Sequence, residues 1–85
     1  MIKMNVCFLI GKIVSKIKFD FILNGKNISI VRFDMELENC NKIEVVGYDQ
    51  VADFCYSKLV QGDFIGILGH ITNHVKIIVE EIERE

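Results

Sequence analysis

Residues 42–71, KIEVVGYDQVADFCYSKLVQGDFIGILGHI, set a strand, a short helix and a strand in close succession, and few small folds accept that order. Short strands on either side of one helix suggest a small closed β structure with a single helical plug. Lys42, Ile43, Glu44, Val45 and Val46 alternate as a half-buried strand does, and their β-branched members suit its pleated surface. Gly47 closes that strand. Asp49 then stands where an N-cap belongs, and Val51, Cys55 and Leu59, four apart, share one helical face. Gly62 is expected to end the helix as a left-handed C-cap after about three turns. From 64 to 72 strand chemistry resumes, with Ile65, Ile67, Gly69 and Ile71 on one face.

The rest of the chain supplies the strands that such a plug requires. Residues 5–19 hold no Pro and only Gly11, and they read as one long strand bending there, where a missing Cβ lets neighbouring backbone come close. Ile10, Ile13, Val14 and Ile17 also fit a helical stripe, but β-branched residues dominate and no cap precedes them. Asn24-Gly25, between FDFIL and NISIVRF, is the strongest hairpin signal, since a type I′ turn needs positive φ at both central residues. In residues 31–38, Val31, Phe33, Met35 and Leu37 take the core side, and Arg32, Asp34, Glu36 and Glu38 take the solvent side. Turns at 38–41 and 72–74 lead into the third strand and into the last, residues 75–82. Five strands in a meander, with one helix between the third and fourth, is the order of an all-β, five-stranded OB-fold barrel, here a single domain over residues 1–85.

An 85-residue chain supports one modest core, and a hydrophobic fraction of 51% exceeds what that core can hide. A homo-oligomer, dimer or tetramer, is therefore expected, with Gly66 and Leu68, opposite Ile65 and Ile67, offering a flat apolar patch. No apolar run reaches the length of a membrane span, and the N-terminus lacks a signal-peptide layout, which points to the cytoplasm. Cys7, Cys40 and Cys55 form no CxxC pair, so reduced thiols are expected, Cys7 and Cys55 packed as small hydrophobes. Phe8, Phe33 and Phe54 are expected in the core or an interface. His70 and His74 flank a turn with no third ligand, so neither a metal nor another cofactor is expected. No nucleophile is paired with a base and no Gly-rich phosphate loop is present, so catalysis is not expected. The net charge of −2 argues against a polyanion partner, but its distribution does not: residues 1–32 set six basic groups against Asp20 alone.

Four segments carry a family likeness. NVCFLIGKI opens with an apolar run before Gly and a basic residue. FDFILNGKNISIVRF joins an aromatic, a Gly-containing turn and a strand, VVGYDQVADFCYSKLVQGDFIGILGHI spans strand, helix and strand, and IIVEEIERE closes. In that order and spacing the chain resembles bacterial-type single-stranded-DNA-binding proteins and the related primosomal OB proteins along nearly all its length. The resemblance implies stacking of bases on aromatic side chains in a groove of Lys and Arg that tracks the phosphates, without sequence preference. It assigns Tyr48 and Phe21 to stacking, places Lys12 after the family's first glycine, and leaves Lys16, Lys18, Lys26, Arg32 and Lys42 to line the groove. The partner would be single-stranded DNA, with RNA as the alternative strand, in replication, repair or mobile-element metabolism.

The departures are specific. Lys42 stands where the family has a Trp, Glu44 where it has a basic residue, and Asp20 where an Arg precedes the hairpin aromatic. The outward face of the second strand is acidic and would repel phosphates. Short turns at 39–41 and 72–74 imply that fewer nucleotides are covered, and the chain ends at Glu85 without the family's acidic tail, so partners would be met on the folded surface. These features favour an alternative of another class, an OB domain that keeps the fold as a protein-interaction or assembly module. Lys12, Lys16 and Lys18 serve equally well as a solvated edge that discourages strand-to-strand aggregation. Phe19 shares the parity of Phe21 and joins it in either role.

Overall fold

Six strands and one helix follow one another as β1 (Cys7–Ile13), β2 (Lys18–Leu23), β3 (Asn27–Leu37), β4 (Lys42–Tyr48), α1 (Gln50–Lys58), β5 (Phe64–Ile71) and β6 (Lys76–Arg84). They belong to a computed structural model that describes residues 6–23, 27–72 and 76–84. The sheet runs β1-β5-β6-β4-β3-β2, and β1 also pairs with β3, which closes β1, β5, β6, β4 and β3 into a five-strand barrel. β2 is left outside the barrel as an edge on β3. Only β4 and β6 pair in parallel; the other ladders are antiparallel. This is the OB-fold expected from the order of elements.

The single strand expected over residues 5–19 is broken in two. β1 and β2 pair with the same edge of β3, yet Ile13 faces Met35 while Lys18 faces Arg32, so residues 14–17 stand opposite only Phe33 and Asp34. The surplus bulges out. Its backbone is held by the Val14 N–H donating to the Asp34 carbonyl (2.9 Å) and the Asp34 N–H donating to Ser15 Oγ (2.8 Å). At Gly11 a Cβ would lie 2.5 Å from the Glu36 carbonyl oxygen and 2.9 Å from Met35 Cγ, so the close approach expected there is real. The Asn24-Gly25 turn lies outside the described residues, but β2 and β3 pair antiparallel from Lys18↔Arg32 to Leu23↔Asn27.

Alternation sorts the core as expected. Val31, Phe33, Met35, Val45, Ile65, Ile67 and Ile77 point into the barrel, and Ala52, Cys55 and Leu59 of α1 pack against them. Ala52, outside the expected stripe, is fully buried, and Val51 is half-buried. Phe33 belongs to the core, whereas Phe8 and Phe54 are exposed.

Both ends of α1 differ from the expected caps. Asp49 precedes the helix but its side chain makes no capping bond; at φ 57° its N–H donates to the Ser29 carbonyl (2.8 Å). The buried Ser29 hydroxyl lies 2.8 Å from Asp53 Oδ1 and 3.1 Å from the Asp49 carbonyl oxygen, tying the start of α1 to β3. The helix ends at Lys58, whose carbonyl accepts from Arg84 Nη1 at 3.0 Å. Gly62 does adopt positive φ (103°), but in the following turn, where its N–H donates to the Ile13 carbonyl (2.8 Å).

Candidate nucleic-acid interface

The outward side of β2, β3 and β4 brings Lys18, Arg32, Lys42 and Tyr48, four of the eight expected binding residues, onto one surface, and register orders them into rows. Arg32 stands between Lys18 and Val46, and Ile30 between Asp20 and Tyr48. Asp34 faces Glu44, which faces Lys76 on β6; Glu36 stands between Lys12 and Lys42. Directly opposed side chains on such a ladder are about 5 Å apart at Cβ, so each row is a contact line.

Tyr48 ends β4 with 39% of its surface exposed, beside an apolar floor of Ile30 and Val46, both buried. One row away lie Lys18 and Arg32. A shallow cleft of 250 Å³ runs along β2, where Lys18, Asp20, Ile22, Ile30 and Arg32 of this side border it together with Phe19 and Phe21. An exposed aromatic ring beside apolar neighbours, one row from two cations, suits a base and its phosphate. Toward the other end an acidic row interrupts the basic ones: Asp34 and Glu44 separate Arg32 from Lys42, although Glu44 is paired with Lys76 Nζ at 3.1 Å. Lys12 extends the row of Glu36 and Lys42, its Nζ 6.0 Å from the centre of the Phe64 ring.

Two expected site residues fall elsewhere, and a third lies outside the described residues. Phe21 is opposite the buried Ser29, so its ring is on the helix side of β2, away from Tyr48, and 54% exposed. Lys16 lies in the bulge and borders a second cleft, of 360 Å³, with Tyr56, Leu59, Val60 and Gln61. Lys26 lies outside the described residues. Tyr56, unremarked in the sequence, stacks on Phe19 with ring centroids 4.4 Å apart and planes tilted by 30°. Only its outward position between Cys55 and Leu59 on the helix could have pointed to it.

Other polar groups do not assemble a second chemistry. His70 Nδ1 meets Glu80 Oε1 at 3.1 Å, His74 lies outside the described residues, and among the described residues no three His, Cys, Asp or Glu groups could hold a metal. Cys40 is exposed at a positive φ of 66°, Cys7 is half-buried, and burial pushes the Cys55 thiol up to about 12. No helix among the described residues is long and apolar enough to cross a membrane.

The closed barrel and its single helix are those of an OB-fold. The SSB domain of a Synechococcus protein superposes with a TM-score of 0.86 at 15% identity, covering 98% of each chain. The single-stranded DNA binding protein of Thermus aquaticus gives 0.86 at 19% identity over 96% of this chain, which spans 40% of that one. The protein priB of Ralstonia solanacearum gives 0.79 at 16% identity, covering 98% of this chain and 100% of that one. At such identities the likeness is one of fold. No protein-family model and no curated protein sequence matches the chain.

Proposed function

We propose that this protein binds single-stranded DNA without sequence preference across the outward side of β2, β3 and β4. Tyr48 stacks a base, Lys18 and Arg32 hold the adjoining phosphates, and Lys42 and Lys12 take the strand further along. The observation that carries this is the half-exposed Tyr48, directly opposite the buried Ile30 and one row from the Lys18–Arg32 pair. Lys16 and Phe21 sit off this surface and are secondary to it, and Lys26 lies outside the described residues. The activity is binding rather than catalysis, in the cytoplasm, in replication, repair or mobile-element metabolism.

The protein works as a homo-oligomer. Phe8 is opposite Leu68, Ile10 opposite Gly66 and Lys12 opposite Phe64, so β1 and β5 present one outward apolar face; Phe8 alone is 65% exposed. That face extends the patch expected at Gly66 and Leu68.

The acidic row of Asp34 and Glu44 favours the second reading, an assembly module that has lost the strand. Anisotropy titration of labelled poly-dT, poly-rU and a duplex at two salt concentrations separates the two. Binding of single strands that weakens with salt and with Tyr48→Ala or Lys12→Ala supports the groove. Absence of binding even at low salt sinks it and leaves the assembly module.

A further inference from the structure

The helix side of β2 carries a second exposed aromatic group that the outward face does not use. Phe19 is half-buried against the core, Phe21 meets it edge-on (5.4 Å, 83°), and Tyr56 lies nearly flat on it. Tyr56 is 65% exposed, so one face of its ring covers Phe19 while the other is open. An open aromatic face backed by another ring is a stacking surface already held in place, since its partner fixes the orientation.

One cation lies beside this group and another across the strand from it. Lys16 borders the cleft beside Tyr56, and Lys18 stands next to Phe19 on the strand, its side chain on the outward face with Arg32. Two nearby carboxylates are engaged: Asp20 Oδ1 accepts the Phe21 N–H at 2.7 Å, and Asp53 Oδ1 is 2.8 Å from Ser29 Oγ. Among the described residues β2 has β3 as its only strand neighbour, so one edge strand separates the outward face from the helix side. The Lys18–Arg32 row reaches that edge.

We infer that Tyr56, stacked on Phe19 and flanked by Phe21 and Lys16, is a second base-stacking site, reached by a DNA strand that leaves the Tyr48 face and turns around the free edge of β2. This rests on the single-strand binding proposed above. It assigns function to Tyr56 and Phe19, and it gives Phe21 a place despite its separation from Tyr48.

The chain has two tyrosines and no tryptophan, so its intrinsic emission reports these two positions alone. In Tyr48→Phe the emission comes from Tyr56. A dT oligonucleotide of about twenty nucleotides should quench it, whereas one of about six, long enough for the Tyr48 face only, should not. Tyr56→Leu, which keeps an apolar contact with Phe19, should weaken the long oligonucleotide about tenfold and leave the short one unchanged. If the long oligonucleotide binds the unaltered protein but Tyr56 emission does not respond and Tyr56→Leu binds normally, the aromatic group only fastens β2 to α1. The inference then falls while the proposed function stands. If no oligonucleotide binds the unaltered protein, both fall. The emission arm uses the native Tyr56, so a folding defect in Tyr56→Leu does not decide the outcome.

Discussion

Tyr48 and Tyr56 show what a sequence exposes at the scale of single residues. Tyr48 was singled out by the family resemblance, which sets an aromatic at the end of that strand, whereas Tyr56 was hidden because helical spacing says only that it faces outward, and its partner Phe19 lies on a distant strand. Tyr48→Ala should cost about 1–3 kcal/mol of dT affinity, the usual worth of one base–aromatic stack, by anisotropy. An unchanged affinity would remove Tyr48 from the interface. Cys55 makes a prediction about pH. Burial raises its thiol from 9.0 to about 12, so the folded chain keeps a proton that the unfolded chain gives up. The resulting stability is complete below about pH 9 and declines as pH rises toward 12. Urea midpoints at about pH 8 and pH 10.5 should fall more steeply for the native chain than for Cys55→Ala. Equal slopes would mean that the thiol is not shielded as its position implies.

Among elements, the strands were legible and their joints were not. Alternation in residues 31–38 and 42–46 reads the barrel side of β3 and β4 directly, because a buried face imposes a period of two. The break between β1 and β2 left no local mark: Val14 and Ile17 are good strand residues, and the interruption comes from how two strands share one edge of β3. Gly62 was correctly placed in the left-handed region but serves the turn that bonds back to Ile13, a contact invisible to helix rules. The joint between α1 and β3 is the one most exposed to mutation. Ser29→Ala removes the hydroxyl that meets Asp53 and the Asp49 carbonyl, and should cost about 1–3 kcal/mol. For a domain of this size each kcal/mol lowers Tm by about 4–8 °C, so the loss is measurable by thermal circular dichroism. A Tm within about 2 °C of the native value would show that the Ser29 hydroxyl adds nothing to the backbone bonds and packing that hold the helix.

For the whole molecule, the surplus of apolar residues and the mixed charge of the surface have to be reconciled. Much of the surplus gathers on the outward face of β1 and β5, on Phe8, Ile10 and Phe64. A stable interface needs about 800 Å² from each partner, so neighbouring residues must join these three for a lasting dimer. Ile10→Glu puts a charge in the middle of that face without touching the core, so the subunit should stay folded while assembly fails. Sedimentation velocity should find the native chain heavier than its 9.8 kDa protomer and Ile10→Glu at the protomer mass. A native chain that sediments as a protomer refutes the oligomer and leaves the patch open for another protein. Assembly also bears on binding, because copies joined through β1 and β5 would leave the β2–β3–β4 faces free for one long strand, with Lys12 at the border between joint and binding face. In that case Ile10→Glu should bind a short oligonucleotide as the native protein does and a long one more weakly. Equal losses at both lengths would mean instead that the charge had damaged the binding face itself.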